Sequence, residues 1–300
     1  MDVTLLLVGT GSGLSHSLYS AVSKLLLNRR IPNPFLFLLT INAFQAVITP
    51  AVWCFWGPGP AWPAAEGWTP LLLAAGTCTV AYFFLYAAFA GGDISSVMPM
   101  MGSKVIFSGL LAGVMMGEWH SGAIYLAAAL VAVAVAALSY SPRGDRSRGS
   151  ALKPAALMLA SCAIFGLTDI YIKRALAFVD AYSFMVYYNA LVAVGSLLVI
   201  PYLVRKAVPL RVGRGAAALT LLAAGFLVAA TSLFVVSFDL AKGVVVPNIL
   251  MSTRGVFIVL ITAAMSSAGR HSLDRQSRWT YLLRFAASVV IIFSVWLAMS

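Results

Sequence analysis

The sequence predicts an all-α membrane protein: ten transmembrane helices arranged as two inverted five-helix repeats. Three observations predict it. Apolar runs of about 20 residues, the length that crosses a bilayer, recur along the whole chain. Only 10% of the 300 residues are charged and 61% are hydrophobic, with a mean hydropathy of +0.95, whereas a soluble domain carries about 25% charged residues. The pattern of the first half also returns in the second, close to 150 residues later.

Taken in order, the apolar runs place spans at 3–27, 35–56, 69–90, 94–117, 121–140, 155–178, 182–204, 215–241, 245–268 and 279–299. The first run has no basic leader and contains Ser15, His16 and Ser17, so it reads as a span and not as a cleaved signal. Some connections are very short: Gly91-Gly92-Asp93 joins spans three and four, and Glu118-Trp119-His120 joins four and five. A longer polar stretch, SPRGDRSRGSALK, Ser141 to Lys153, falls near the midpoint and reads as a linker. It divides the chain into a first repeat (1–140), the linker (141–153) and a second repeat (154–300). Cys54, Cys78 and Cys162 all fall in apolar runs, without metal-ligand spacing or a disulfide framework.

The net charge of +11 does not indicate a nucleic-acid partner, because the cations sit in short loops. Fourteen Lys and Arg border the ends of odd-numbered spans; three, Lys173, Arg174 and Lys242, border the even ends. The positive-inside rule then puts the odd-side loops in the cytoplasm and both termini outside, with an expected location in a bacterial inner membrane.

The repeats align in three helix pairs. Spans two and seven match at an offset of 147, with Phe37 on Phe184 and Asn42 on Asn189. Spans four and nine match at 150, with Met101 on Met251, Ser103 on Thr253, Lys104 on Arg254 and Phe107 on Phe257. Spans one and six match at 149 (Lys24 on Lys173), but 153 also fits, with Gly13-Leu14 on Gly166-Leu167. A repeat of five helices must insert its second copy upside down, an arrangement that places substrate sites near the midplane.

Lys104 and Arg254 carry the functional reading. Lys104 follows Asp93 by eleven residues and precedes Glu118 by fourteen. At ~1.5 Å per residue it lies about 16 and 21 Å from those polar ends, near the bilayer centre. A charge there costs roughly 2.5–3.5 kcal/mol to insert, so it should face protein or water. Two such cations suit a phosphate or carboxylate, Arg as a planar fork and Lys as a point charge. Asp169 and Asp239 are the acids placed well inside spans, as coupling carboxylates or counter-ions; Asp239 could pair with Arg254, and Asp169 with Lys173 one turn away. His16, Asn42, Asn189, Tyr82 and Tyr86 are candidate contacts for the remainder of a substrate, with packing as the alternative role for each. Tyr187 and Tyr188 are weaker candidates of the same kind, and Met98, Met100, Met101 and Met251 flank the cations as adaptable packing. Pro99 and Pro247 either break their helices and free backbone carbonyls near the cations or are tolerated as kinks. No phosphate loop, metal cluster or nucleophile–base set stands out, so no enzyme activity and no cofactor are expected.

Several stretches resemble the drug/metabolite transporter superfamily, EamA-like branch: GLTDIYIK (Gly166 to Lys173), DISSVMPM (Asp93 to Met100), GVMMGE (Gly113 to Glu118) and the small-residue run Ala123 to Leu138. The second repeat departs from the Gly-Glu corner, with Ala268 where Glu118 would fall. The resemblance implies a carrier whose central cavity is lined by helices one to four and six to nine. Lys104 and Arg254 are further reminiscent of the sugar-phosphate and phosphate-exchanging branch, where basic residues of those helices hold the anion. The expected function is thus a secondary transporter of a small organic anion. An exporter of amino acids, drugs or other metabolites, or a lipid-handling carrier, are the alternatives. Membrane lipids are the expected surroundings, and a homodimer is left open.

Overall fold

A computed structural model describes residues 2–56, 59–91, 98–139, 148–267 and 278–299. Among these residues there are helices and connecting turns and no strand. The helices are α1 (Val3–Arg29), α2 (Pro34–Trp56), α3 (Ala65–Gly91), α4 (Lys104–Met116), α5 (Gly122–Ser139), α6 (Arg148–Ala175), α7 (Ala181–Arg205), α8 (Arg214–Ala241), α9 (Val245–Met251), α10 (Arg254–Ser267) and α11 (Arg278–Met299). Five of them, α2, α3, α6, α7 and α8, contain stretches long and apolar enough to cross a membrane. Shorter apolar stretches lie in α4, α5, α11 and across α9 and α10.

Local chemistry explains most boundaries. Asp2 caps α1 by accepting from the backbone of Thr4 and Leu5, and Asp180 caps α7 through Tyr182 and Ser183. Gly117 ends α4 with φ +68°, a left-handed cap that suits glycine, and its N–H bonds the Ala112 carbonyl. The Gly-Glu corner is therefore a helix stop. α6 starts at Arg148, so helix already begins inside the stretch read as a linker, of which residues 141–147 lie outside the described set. Asp93, in the short connection before span four, also lies outside it.

Spans four and nine are not continuous helices. A 3-10 segment, Met98–Ser103, precedes α4, and a turn at Ser252-Thr253 separates α9 from α10. Pro99 lies in the first interruption. Pro247 is not the cause of the second: it is the third residue of α9, in the first turn, where a missing N–H is tolerated. The interruption comes five residues later. There Ser252, Thr253, Gly255 and Val256 donate to carbonyls three residues back, tightening the backbone. Hydroxyls compete for the same carbonyls: Ser103 Oγ donates to Met100 O at 2.8 Å, and Thr253 Oγ1 to Leu250 O at 2.7 Å. Both the donors and the acceptors of these two bonds are 150 residues apart.

The helices pack in corresponding pairs. α1 lies along α8 and α3 along α6; α2 meets α7, α5 meets α11, α4 meets α6, and α10 meets α1. Ser12 Oγ donates across to Ala230 O at 2.8 Å, and Ser161 Oγ to Ala81 O at 2.8 Å; both serines are fully buried. The donors are 149 residues apart, 12 to 161, and so are the acceptors, 81 to 230. That is the 149 register of spans one and six. The competing match of Gly13 with Gly166 has a different cause, close approach. A Cβ on Gly13 would fall 3.0 Å from Arg254 N and 3.2 Å from Met251 O, and one on Gly166 would fall 3.0 Å from Ser108 N. Both glycines bring a helix backbone against an interrupted span.

The core runs through the middle of the bundle and includes Tyr86, Phe37, Phe184, Phe238 and Met158, each almost wholly buried. The outward faces are apolar too: Val47, Val114, Val133, Val194, Leu198 and Trp296 are exposed. A coat of this kind suits lipid and would be an aggregation liability in water.

Candidate functional site

The two interruptions set up the site. Lys104 is the first residue of α4 and Arg254 the first of α10, so each cation stands directly after a break in its span. Two side chains, His16 of α1 and Cys162 of α6, each lie within electrostatic reach of both cations. Lys104 and Arg254 therefore address one region of the bundle.

Their surroundings differ. Lys104 Nζ lies 2.9 Å from Asp169 Oδ1, with side chains only 7% and 2% exposed. The other carboxylate oxygen, Oδ2, accepts from Ser108 Oγ at 2.9 Å and from Asn248 Nδ2 at 2.8 Å. The ammonium also sits 4.6 Å from the centre of the Phe234 ring and 5.9 Å from that of Phe165, within cation–π range. One polar knot thus ties α4, α6, α8 and α9 together. Its ion pair is neutral as a whole, which is how a bundle tolerates both charges.

This changes the sequence expectation for three residues. Lys104 is already compensated. Asp169 pairs across to α4 and not with Lys173 of its own helix; Lys173 Nζ donates instead to Phe238 O at 3.0 Å. A local i,i+4 pair is worth only about 0.2–0.5 kcal/mol, far less than the cost of leaving Lys104 buried alone. Asp239, expected well inside span eight, is exposed near the end of α8 and pairs with Lys242 at 3.1 Å. It does not reach Arg254.

Of the two, Arg254 is the cation with no counter-ion among the described residues. Its guanidinium makes no ion pair or hydrogen bond with any described residue. Its backbone is held firmly: Ser17 Oγ donates to Arg254 O at 2.9 Å, and Gly13 packs against its N–H. The Cys162 thiol donates to Met100 O at 3.5 Å, beside the Lys104 break.

The remaining candidates form two groups. His16 meets the Tyr19 ring edge-on at 6.4 Å, and its Nδ1 is buried with no hydrogen-bond partner beyond an electrostatic contact with the Ser12 backbone. Tyr19 and Tyr86 share a hydroxyl–hydroxyl bond of 3.1 Å. Tyr82 lies 6.1 Å from Tyr86 and edge-on to Phe165 at 5.3 Å. These rings form a continuous wall from His16 to the Lys104 knot. Asn42 and Asn189 do not meet each other. Asn189 Nδ2 donates to Thr49 Oγ1 at 2.8 Å, a bond between α7 and α2. Asn42 is buried with both amide atoms unpartnered. Tyr187 packs against Trp62 and Trp68, Tyr188 stacks on Phe184, and Met100, Met101 and Met251 pack with the core. The side chains of Met98 and Cys54 lie outside the described set, while Cys78 and Cys162 are buried free thiols.

A cavity of about 580 Å³ opens elsewhere, lined by Glu66, Met116, Tyr171, Lys173, Arg174 and Phe178 among others. Met116 is twelve residues along α4 from Lys104, roughly 18 Å away. Among the described residues no three His, Cys, Asp or Glu side chains gather as metal ligands.

Sequence reading missed Ser108, Asn248, Phe234 and Cys162 as members of the site. Asn248 carried a signal, an amide in an apolar run six residues before Arg254, but it has no repeat-related counterpart and so drew no attention. Phe234 carried none, since one phenylalanine in an apolar run resembles any other.

No family model matches the chain, and no curated protein matches it in sequence. Twenty-eight solved chains do match in structure. One, described only as "Crystal structure of protein", superposes with a TM-score of 0.73 at 17% identity, over 100% of this chain and 99% of its own. At that identity the likeness concerns the fold alone: this helical arrangement exists, end to end, in a solved protein.

Proposed function

We propose that the chain is a secondary transporter for a small organic anion, a phosphorylated or carboxylated metabolite, with Arg254 as the principal anchor. The observation that carries this is the guanidinium of Arg254, which has no ion pair or hydrogen bond among the described residues, placed at a helix break and backed by a firmly bonded backbone. A half-buried cation within the bundle, without a counter-ion among the described residues, is costly and invites an anion. The N-termini of α4 and α10, both at the breaks, add partial positive charge. Lys104 is the second cation of the site, masked by Asp169. His16, Tyr86, Tyr82 and Asn42 contact the remainder of the substrate, and Asn189 ties α7 to α2.

Two inverted five-helix repeats account for the matched features. Equivalent serines make equivalent bonds, equivalent hydroxyls stand at both interruptions, and helix pairs recur in mirrored order. Alternating access then follows as rocking of one repeat against the other around a midplane site. The EamA-like branch of the drug/metabolite transporters is the family this reading favours, in a bacterial inner membrane.

One observation favours a second reading. Lys104 and Asp169 present both signs of charge 2.9 Å apart, which suits a zwitterion such as an amino acid. Uptake of labelled anions and amino acids into liposomes distinguishes the two. The anion reading expects saturable uptake of carboxylates or phosphate esters, lost in Arg254→Ala and reduced in Lys104→Ala. Uptake undiminished in both variants refutes the site, and uptake of neutral amino acids alone favours the second reading.

A further inference from the structure

We propose that the anion and Asp169 compete for Lys104, so that each anion bound across Arg254 and Lys104 draws one proton onto Asp169 and is carried together with it. This rests on the anion reading above and adds a coupling ion to it. Lys104 offers its ammonium to Asp169 on one side and is covered by the rings of Phe234 and Phe165 on others. An anion that reaches it must displace the carboxylate or share the cation with it. Sharing places two negative charges on one buried cation, and like charges at that range favour protonating one of them. Asp169 is the group that can take up the proton.

The shell around Asp169 holds two ready acceptors for that proton. Asn248 donates to Asp169 through Nδ2, while its own Oδ1 is buried without a partner. Nδ2 also donates to Val244 O at 3.0 Å, so rotation of that amide, which exchanges donor for acceptor, gives up this bond as Asp169 takes the proton. Ser108 Oγ, now a donor to the same oxygen, can also accept. The groups facing Asp169 are Lys104 and Ser108 from α4, Asn248 from α9, and Cys78 and Tyr188 at electrostatic range from α3 and α7. Lys173, one turn along α6, is turned away to Phe238 O.

The step balances. One O–H bond forms on Asp169, using a proton taken up from bulk solvent (released there by hydronium or buffer acid) together with the anion. The Lys104–Asp169 ion pair breaks and a Lys104–anion pair replaces it. An arriving monoanion and its proton leave the total charge of the site unchanged.

The test is calorimetric titration of the purified full chain with pyruvate and with sulfate, neither of which takes up a proton itself in the neutral range. Repeating it in buffers of different ionisation enthalpy counts the protons. About one proton should be taken up per anion, and affinity should rise as pH falls, by up to about tenfold per unit. Asp169→Asn should bind the anion with that pH slope removed. Binding that depends on Arg254 but takes up no proton overturns the coupling and leaves the anion site standing. An Asp169→Asn variant with the parent's pH slope also overturns the coupling. Failure of either probe to bind, or binding that Arg254→Ala does not weaken, overturns the anion reading and the coupling with it.

Discussion

Removing the Asp169 carboxylate should destabilise the bundle far more than removing the whole ion pair. Asp169→Ala leaves the Lys104 ammonium at 7% exposure without its partner 2.9 Å away, and strips the acceptor from Ser108 and Asn248. Breaking a buried pair from one side costs about 3–5 kcal/mol. Each orphaned donor adds up to about 1–3 kcal/mol, though the three share one carboxylate and do not sum fully. A loss of at least about 3 kcal/mol is expected. The double variant Lys104→Met, Asp169→Leu removes both charges and fills the space, so it should recover most of that loss. Thermal unfolding in detergent, followed by tryptophan fluorescence, measures both against the parent, and the cycle gives the coupling energy. An Asp169→Ala protein as stable as the parent would refute the reasoning. So would a double variant as unstable as the two single losses combined.

Three further outcomes follow. Ser12→Ala and Ser161→Ala should destabilise to the same small extent, about 0.6 kcal/mol each as for other interhelical bonds in membranes; unequal losses in the same unfolding assay would contradict the correspondence between the two bonds. Gly13→Ala should lower thermal stability, by roughly 1–3 kcal/mol for overpacking, because the new methyl meets backbone atoms of Met251 and Arg254 that cannot move aside; Gly225→Ala, where a Cβ meets open space, is the matched control. Asp239→Asn should change neither stability nor uptake, since its pair with Lys242 is largely exposed.

The sequence made an all-helical chain with long apolar runs legible because apolar length is written locally, and five helices are long and apolar enough to cross a membrane. Lys104 and Arg254 were legible because a cation in such a run is costly and both halves carry one. What composition does not record is which carboxylate approaches which cation. Asp169 lies on α6 and Lys104 on α4, and only the packing of those helices brings them to 2.9 Å. The i,i+4 spacing from Asp169 to Lys173 pointed to the wrong partner for that reason. Asp239 was misplaced because hydropathy marks a run without marking where its helix leaves the bundle. Pro247 was read either as a break or as a tolerated kink; the break before Arg254 falls five residues later, at Ser252 and Thr253, whose hydroxyls bond back to the carbonyls of Ile249 and Leu250. The register of spans one and six was ambiguous because glycines recur for close approach as well as for descent from a common repeat. The paired serine bonds follow the 149 offset.

The most direct measurement is the position of a bound anion, read from anomalous diffraction of crystals grown with bromoacetate. The account predicts a bromine peak within a few ångströms of the Arg254 guanidinium, absent in Arg254→Ala crystals. A peak held elsewhere in both proteins, with the Arg254 side chain untouched by the ligand, would contradict it.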